Sequence, residues 1–328
     1  MSPPTARLTA MMLLSVAWLA AGRPLSSTTV AAEPKPDVGA NADLNGWRPM
    51  SDGSEWNRTI ERDPVDSNSA ELLASIKHPS GRFAGHAWLH PDFGPEGGIP
   101  YLVVDQAGPT PVSFEYADES DPGPYPIPLD APIEGGGDRH VIVVDRSRQK
   151  LFELFAARVD GKRWRAGSGA IFDVLGHDRQ RPDGWTSADA AGLPIFPGLV
   201  KYDEVASGEI KHALRFTAPR TRKAYVSPAS HYASPHVDAH LPPMGMRIRL
   251  KKSFDTRPFS PAARTILRCL QTYGAILADN GGAFFISGAP DPRWDDEALG
   301  EIKRVRDEIL WENLEVMRID AKRLKIGR

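Results

Sequence analysis

The sequence predicts a mainly β protein, a β-sandwich or jelly-roll-like single domain with two helices near its C-terminus. Three observations lead to this class. Short runs rich in Val, Ile, Phe and Tyr recur through the middle of the chain and are bounded by Gly, Pro and Asp, which is typical of strands. Glycine (29 residues) and proline (30 residues) are both frequent, which favours short elements joined by turns. Helical periodicity stands out only near the C-terminus.

The N-terminal stretch has the pattern of a secretory signal. Arg7 supplies a positive charge, residues 8–22 (LTAMMLLSVAWLAAG) are apolar but short for a membrane span, and Ala32 ends a plausible cleavage site. We therefore expect residues 1–32 to be a signal peptide, with a retained membrane anchor as the alternative. The protein would then be secreted or periplasmic.

After this signal, composition predicts a flexible polar tether at 33–55, rich in Gly, Asp and Asn, and a single β-rich domain at 56–328. A content of 41% hydrophobic and 25% charged residues is ordinary for a globular protein. The net charge of −2 gives no reason to expect nucleic acid or an anionic membrane surface as a partner. The single cysteine, Cys269, excludes an intramolecular disulfide.

The strands follow from period-2 runs between turn residues. Residues 141–155 (VIVVDRSRQKLFELF) predict a hairpin with a loop at Arg146–Gln149. With that loop, one face of the hairpin carries His140, Ile142, Val144, Leu151, Glu153 and Phe155. The runs that predict strands are 99–105, 110–116, 139–145, 150–156, 209–217, 223–228 and 246–251.

The two helices are predicted from capping signals and apolar periodicity. The first has Ser260 as its N-cap and Pro261 in its first turn, and it ends at Gly274. The second starts near Asp295. Between them, the Asn-Gly pair at 280–281 predicts a hairpin with a type I′ turn, which needs positive φ at both residues.

Acidic residues concentrate in turn-rich segments, at 116–128, 133–140 and 184–205. The last of these, GWTSADAAGLPIFPGLVKYDEV, has neither a helical nor a strand period. Rigid loops on a sheet scaffold often display binding and catalytic groups, so we expect 184–205 to form a fixed wall of a cleft. The alternative is a solvated acidic loop with a packed corner. Signatures such as a phosphate loop, His-Glu-x-x-His, Cys-x-x-Cys or Gly-x-Ser-x-Gly are absent from the sequence.

Paired carboxyls across such a cleft can divide acid and base work. Glu134 and Asp189 are the candidates for this pair. His212 and His140 lie among apolar neighbours and could assist proton transfer, with core histidines as the alternative, while Arg139 could neutralise charge.

The candidates for substrate binding are aromatic and acidic residues near these segments. Trp185, Trp164 and Tyr125 could stack on sugar rings, and Asp121 could accept hydrogen bonds from a sugar; core packing is the alternative for the aromatics. Glu153 is flanked by apolar residues and needs a partner, for which His140 or an arginine such as Arg139 is the candidate.

A histidine cluster invites a metal hypothesis. His231, His236 and His240 lie within ten residues of HYASPHVDAH, but their spacing matches neither helical nor zinc-finger patterns. The sequence therefore assigns no metal in the preferred interpretation, with these three as the weaker alternative.

Several blocks together resemble a widespread set of exported bacterial proteins that has no established activity. The blocks are ESDPGPYPIP, APIEGG, DRHVIVVD, GSGAIFD, GWTSADAAGLPIFPGLV, HALRFT, PPMG and ILADNGG…ISGAPD. The similarity spans about 60–325. It implies an exported, single-domain protein, lends weight to Asp121, Glu134, Arg139, His140, Asp189 and His212, and supplies no substrate.

The leading functional hypothesis is an exported carbohydrate-active enzyme, a polysaccharide hydrolase or lyase that needs no cofactor. Its partner would be an extracellular polysaccharide or another small polar substrate. One alternative is a non-catalytic carbohydrate-binding or surface-interaction protein. The other is a metal-dependent hydrolase or oxidase that uses the three histidines.

Overall fold

Strands dominate the computed structural model, which describes Met1 and residues 34–76, 90–176, 181–294, 300–301 and 313–327. The mainly β class is therefore correct. The predicted signal peptide, apart from Met1, and the second predicted helix, apart from 300–301, lie outside the described residues. Among the residues described, no helix is both long and apolar enough to cross a membrane.

The strands and helices are short. The strands are β1 Gly39–Ala40, β2 His90–Asp92, β3 Tyr101–Val104, β4 Val112–Phe114, β5 Val141–Asp145, β6 Lys150–Leu154, β7 Arg158–Asp160, β8 Arg163–Ala166, β9 Gly169–Asp173, β10 Leu214–Ala218, β11 Ala224–Val226, β12 Arg247–Leu250, β13 Ala275–Asn280, β14 Phe285–Ser287, β15 Leu314–Val316 and β16 Leu324–Ile326. The helices are α1 Ser69–Ile76, α2 Tyr202–Ser207 and α3 Pro261–Thr272, with 3₁₀ turns at Ala117–Glu119 and Phe196–Gly198.

These strands form four sheets, ordered β1-β3-β5-β6-β9, β15-β12-β13-β10-β14-β2, β4-β8-β7 and β11-β16. The first three sheets mix antiparallel pairs with parallel ones, namely β3/β5, β10/β13, β14/β2 and β4/β8. Sandwiches and jelly rolls are built from antiparallel sheets, so the mixed pairing supports only the coarser class, mainly β.

The predicted hairpin at 141–155 is confirmed. β5 and β6 pair antiparallel with Asp145 opposite Lys150, which leaves Arg146–Gln149 as the loop. Both faces of this sheet are covered. Ile142, Val144 and Leu151 pack into one apolar cluster, and the alternate residues of the same strands pack into another. Near-continuous apolar strands are expected where a sheet is buried on both faces.

The hairpin predicted at 280–281 is wrong. β13 and β14 do not pair with each other, because β10 lies between them. Neither Asn280 nor Gly281 has positive φ; Phe284 takes the left-handed conformation at the end of this connection, with φ 55°. The side chain of Asn280 is engaged elsewhere, donating to the Oγ1 of Thr221 at 3.1 Å.

The stretch from 34 to 55 packs against the sheets and does not behave as the tether its composition predicts. It carries β1, which pairs with β3, and its Leu44 and Met50 are buried in apolar clusters. Pro34–Arg328 forms one compact unit.

The segment 184–205 lies between two apolar clusters. Ile195, Phe196 and Leu199 pack against the five-stranded sheet, whereas Leu193 and Val200 pack into the cluster around the six-stranded sheet and α3. The irregular backbone lets the apolar side chains of this segment reach both clusters. In a regular helix or strand, the repeat of the backbone would fix the directions of these side chains.

Candidate active site

A cavity of about 640 Å³ opens beside the segment 184–205. Five consecutive residues of that segment, Thr186–Ala190, form one wall, whereas 191–205 does not contribute to the lining. The other lining residues are Tyr116, Glu119, Asp138, Phe155, Ser168, Lys223, His231, Tyr232, Ala233, Ser234, Pro235, Asp279 and Asn280.

Local hydrogen bonds hold this wall in one conformation. The Oγ of Ser187 accepts from the amide of Asp189 at 2.9 Å and donates to the carbonyl of Leu193 at 2.6 Å. Gly192 has φ 72°, and a Cβ at this position would collide with the Oγ of Ser230. A buried irregular backbone must satisfy its own polar groups, and these bonds do so around Asp189.

Two carboxyl groups share one guanidinium at the cavity. The Nη2 of Arg215 donates to Oδ1 of Asp189 at 3.1 Å and lies 3.8 Å from Oδ2 of Asp279. The two oxygens therefore lie within about 7 Å of each other. The side chains of Asp189 and Arg215 are 0% and 4% exposed, whereas that of Asp279 is 22% exposed. Asp279 is thus the more accessible member of the pair.

A β-bulge directs Asp279 towards Arg215. β10 and β13 pair in parallel with Arg215 opposite Ile276, and the register then shifts so that Thr217 lies opposite Asp279. In the unshifted register Asp279 would face the apolar side of the sheet with Leu214 and Phe216. The extra residue moves its carboxyl to the face that carries Arg215. Ser287, on the neighbouring β14, accepts a hydrogen bond from the same guanidinium.

Burial and mutual repulsion favour a proton on Asp279. Desolvation by burial, followed by the charge of Asp189, raises the pKa of Asp279 to about 7. Burial also raises the pKa of Asp189, but Arg215 opposes this shift through direct hydrogen bonds. We therefore assign the negative charge to Asp189 and the shared proton to Asp279, because only Asp189 is hydrogen-bonded to the guanidinium.

His140 joins Glu134 to the wall of the cavity. Its Nδ1 lies 2.5 Å from Oε2 of Glu134, and its Nε2 lies 3.0 Å from the carbonyl oxygen of Ala188. Burial opposes charge on both side chains, yet their hydrogen bond raises the pKa of His140 and lowers that of Glu134. Both partners are acceptors, so the arrangement suits an imidazolium that donates from both ring nitrogens and holds the residue before Asp189.

Glu153 is buried, as its apolar neighbours indicate, but its partners are backbone amides. Its Oε1 accepts from the N–H groups of Ile195 and Phe196, both at 2.9 Å. Burial raises the pKa of Glu153 to about 7, against the lowering effect of these two bonds. The carboxyl group thereby ties β6 to the 3₁₀ turn that begins at Phe196.

The structure does not bring Arg139 or His212 to the cavity. Arg139 is exposed, and its Nε donates to the carbonyl of Ala157 at 3.0 Å. His212 precedes β10, not within it, and its Nε2 lies 3.1 Å from Oε1 of Glu204. Burial opposes the charge on Glu204, but Lys201 and His212 hold the pKa of its carboxyl at about 2. The histidine thus belongs to a different charged cluster.

The predicted substrate-binding residues have structural contacts. Trp164 is 0% exposed, and its Nε1 donates to the carbonyl of Ile127. Tyr125 is 2% exposed, so neither ring presents a face to a sugar. The remaining two residues both contact Arg181: Trp185 lies 5.4 Å from the guanidinium, ring centroid to Cζ, and Asp121 pairs with it at 2.6 Å.

The three histidines of the metal hypothesis do not form a cluster. The Nδ1 of His231 donates to the carbonyl of Ala190 at 2.8 Å, and the Nδ1 of His240 lies 2.8 Å from a carboxylate oxygen of Glu71. His236 is exposed. Across the described residues, no group of three or more His, Cys, Asp or Glu side chains is arranged to hold a metal ion.

Sequence reasoning missed Asp279 and Arg215. Each is an ionisable residue within an apolar run, AILAD and HALRFTA, which is the criterion that identified Glu153. Applied to every strand, that criterion would have found both. Their meeting could not have been inferred, because it depends on the order of β10 and β13 and on the bulge.

Comparison with known proteins adds no assignment, since no protein-family model, curated protein or solved structure matches this chain.

Proposed function

We propose that the protein is an exported carbohydrate-active enzyme, a polysaccharide hydrolase that works by acid–base chemistry in the cavity beside 184–205. The observation that carries this proposal is the carboxyl pair of Asp189 and Asp279 on one guanidinium, with the pKa of Asp279 raised to about 7. Two carboxyl groups with different charge at neutral pH are what glycoside hydrolysis requires.

Asp279 is the general acid in this proposal. It is the more accessible member of the pair, and a carboxylic acid with a pKa of about 7 holds its proton at the pH where a glycosidic oxygen must receive it. As the glycosidic C–O bond breaks, Asp189 supplies the negative charge that stabilises an oxocarbenium-like transition state; water then adds to the anomeric carbon and returns a proton to the carboxylate of Asp279. Arg215 orients both carboxyls, and His140 and Glu134 position the wall without touching the substrate.

The lining of the cavity suits a carbohydrate. Tyr116 is 46% exposed on the lining, and its ring can pack against a sugar ring. The exposed side chain of Asp138 also lines the cavity and can accept hydrogen bonds from sugar hydroxyls. Export itself, and with it a secreted or periplasmic location, rests on the N-terminal sequence pattern at 1–32. A sandwich or jelly-roll arrangement of the sheets also stays a prediction.

The direct test is product release from a panel of neutral and acidic polysaccharides. We expect new reducing ends with the wild type and at least about 100-fold less with Asp279→Asn or Asp189→Asn. Asp130→Asn, an exposed carboxyl remote from the cavity lining, is the matched control. Circular dichroism of each variant verifies folding, since removing Asp189 leaves Arg215 without its hydrogen-bonded carboxylate.

Three results would separate the alternatives. Unsaturated products that absorb in the ultraviolet would assign a lyase. Glycan binding without turnover, unaffected by either Asn variant, would assign a binding protein. Wild-type turnover that persists in Asp279→Asn would remove that residue from the mechanism.

A further inference from the structure

A second groove, of about 560 Å³, lies on elements that the candidate active site does not use. Its walls are lining residues between 55 and 64, the end of β11 with the residues after it, the start of β12 with those before it, the residues after β15 and the turn before β16. It shares no lining residue with the cavity beside 184–205. It is therefore a separate place where a ligand can bind.

Ion pairs neutralise the inner part of this groove. Arg58 pairs with Glu55 and Asp63, each at 2.7 Å. Arg247 pairs with the same Glu55 at 2.9 Å, and its guanidinium also donates to the carbonyl of Tyr273. These groups are satisfied by one another and hold the inner wall rigid.

The rim, in contrast, is net positive, because three cations share it with the single carboxylate of Asp320. Arg318, Lys322 and Arg323 are all exposed and line the groove. In the part of the chain that the structure describes, neither Arg318 nor Lys322 has an acidic partner, and Arg323 contacts only the Oγ of Ser227, at 3.4 Å. Asp320, the remaining acid on the lining, uses its Oδ1 to accept from the amide of Lys322.

The backbone holds this rim in place. β16 pairs with β11, with Leu324 opposite Val226, and the amide of Arg323 donates to the carbonyl of Asp320 at 2.9 Å. Gly245, with φ 80°, lets two chain segments approach closely, since a Cβ there would collide with the carbonyl oxygen of Val226. Lys322 and Arg323 thus lie in the turn before β16, and Arg318 is held by its amide, which donates to the carbonyl of Pro64 at 2.8 Å.

We propose that this groove binds the carboxylate groups of an acidic polysaccharide chain, as a glycan-binding site remote from the active site. Guanidinium groups bind carboxylates through two parallel hydrogen bonds, and a rim on which three cations outnumber one carboxylate suits a polymer that carries one negative charge per sugar. The identification of the ligand as a glycan rests on the proposed function. The inference that the groove binds a polyanion rests only on the charge of the rim.

The test is an affinity measurement by calorimetry in the Asp279→Asn background, which blocks turnover. The probes are polygalacturonate, uncharged dextran of similar length, and inorganic polyphosphate. The triple variant Arg318→Gln, Lys322→Gln, Arg323→Gln is compared with Arg158→Gln, Lys162→Gln, Arg163→Gln, which removes the same charge from exposed positions on β7, β8 and their turn.

We expect polygalacturonate to bind, dextran not to bind, and the rim variant to bind about tenfold more weakly, because each exposed ionic contact contributes little individually. Added salt should weaken wild-type binding and affect the rim variant less. The control triple should bind like the wild type.

Equal losses in both triple variants would overturn the site, because the effect would then follow net charge alone. Polyphosphate binding without polygalacturonate binding would overturn the carboxylate assignment. If the wild type turns over no glycan but still binds polygalacturonate through the rim, the proposed enzyme activity would be rejected. The groove would still be assigned as a polygalacturonate-binding site.

Discussion

The protonation of Asp279 decides what the cavity can do at a given pH. The residue is the partly exposed member of a carboxyl pair whose other member, Asp189, is hydrogen-bonded to Arg215. Burial and the charge of Asp189 place its pKa at about 7, so the acid form predominates below that pH. Activity that needs this proton must decline as the pH rises through 7.

The first prediction is therefore a pH–rate profile with an alkaline limb centred near pH 7. Asp279→Asn should lower kcat at least about 100-fold and abolish that limb, while substrate affinity changes little. Steady-state kinetics on the best glycan of the panel measure both effects. An alkaline limb that persists in Asp279→Asn would assign the titration to another group.

A second prediction concerns the Glu134–His140 pair and stability. The folded pKa of His140 is raised above 6.5, so its contribution is complete below that pH and is lost as the pH rises through the folded value. The folded pKa of Glu134 lies below 4.5, so the contribution of Glu134 to stability is lost as the pH falls through this lower, folded pKa. The pair therefore stabilises most between these limits.

Glu134→Gln should lower the free energy of unfolding by about 2 kcal/mol near pH 6, the usual size for a hydrogen bond to a charged group. The difference from the wild type should shrink above neutral pH. Urea unfolding at several pH values measures it, with the exposed Glu115→Gln as control. A difference that does not vary with pH would show that the pair is not ionic.

At the scale of elements, one carboxyl group joins a strand to an irregular segment. Glu153 of β6 accepts the first amides of the 3₁₀ turn Phe196–Gly198, and that turn continues the chain from the cavity wall. The folded pKa of Glu153 is raised to about 7 from 4.5, so folding favours its protonated form. Its contribution to stability therefore decreases as the pH rises from 4.5 to 7.

The third prediction separates the charge of Glu153 from its role as acceptor. Glu153→Gln keeps a carbonyl oxygen for the two amides and should match or exceed the wild-type stability at pH 8, where the buried carboxylate is charged. Glu153→Leu leaves the amides of Ile195 and Phe196 without an acceptor and should lose about 2–4 kcal/mol. Equal stability of the Gln and Leu variants in urea unfolding would show that the hydrogen bonds from Ile195 and Phe196 to residue 153 do not stabilise the fold.

At the scale of the whole molecule, residues well outside the predicted domain complete its packing. β1 extends the five-stranded sheet, and Leu44, Trp47 and Met50 pack on the clusters that also hold the segment 184–205. The ring of Trp47 lies 6.4 Å from that of Phe196. This stretch therefore packs against the segment that forms one wall of the cavity.

The fourth prediction follows from this packing. A chain that starts at Asp52 should lose about 3–6 kcal/mol relative to one that starts at Pro34, mainly through the apolar burial of Leu44 and Met50. Urea unfolding of both chains measures the difference. The double variant Leu44→Ala, Met50→Ala in the longer chain should reproduce much of it. Identical unfolding midpoints would show that 34–51 is a tether after all.

Short-range patterns in the sequence determined the hairpin of β5 and β6 with its four-residue loop, the start of α3 at Pro261 behind the Ser260 cap, and the burial of Glu153. Each depends on residues a few positions apart, whose spacing dictates which side chains share a face or which amide is capped.

Tertiary structure alone decided that Asp279, and not Glu134, joins Asp189 at the cavity. That pairing requires β10 to lie between β13 and β14. It also requires the bulge that turns the carboxyl of Asp279 to the face of the sheet that carries Arg215. The order of strands and the register between distant segments are set by the free energy of packing the whole chain, and no local spacing encodes them.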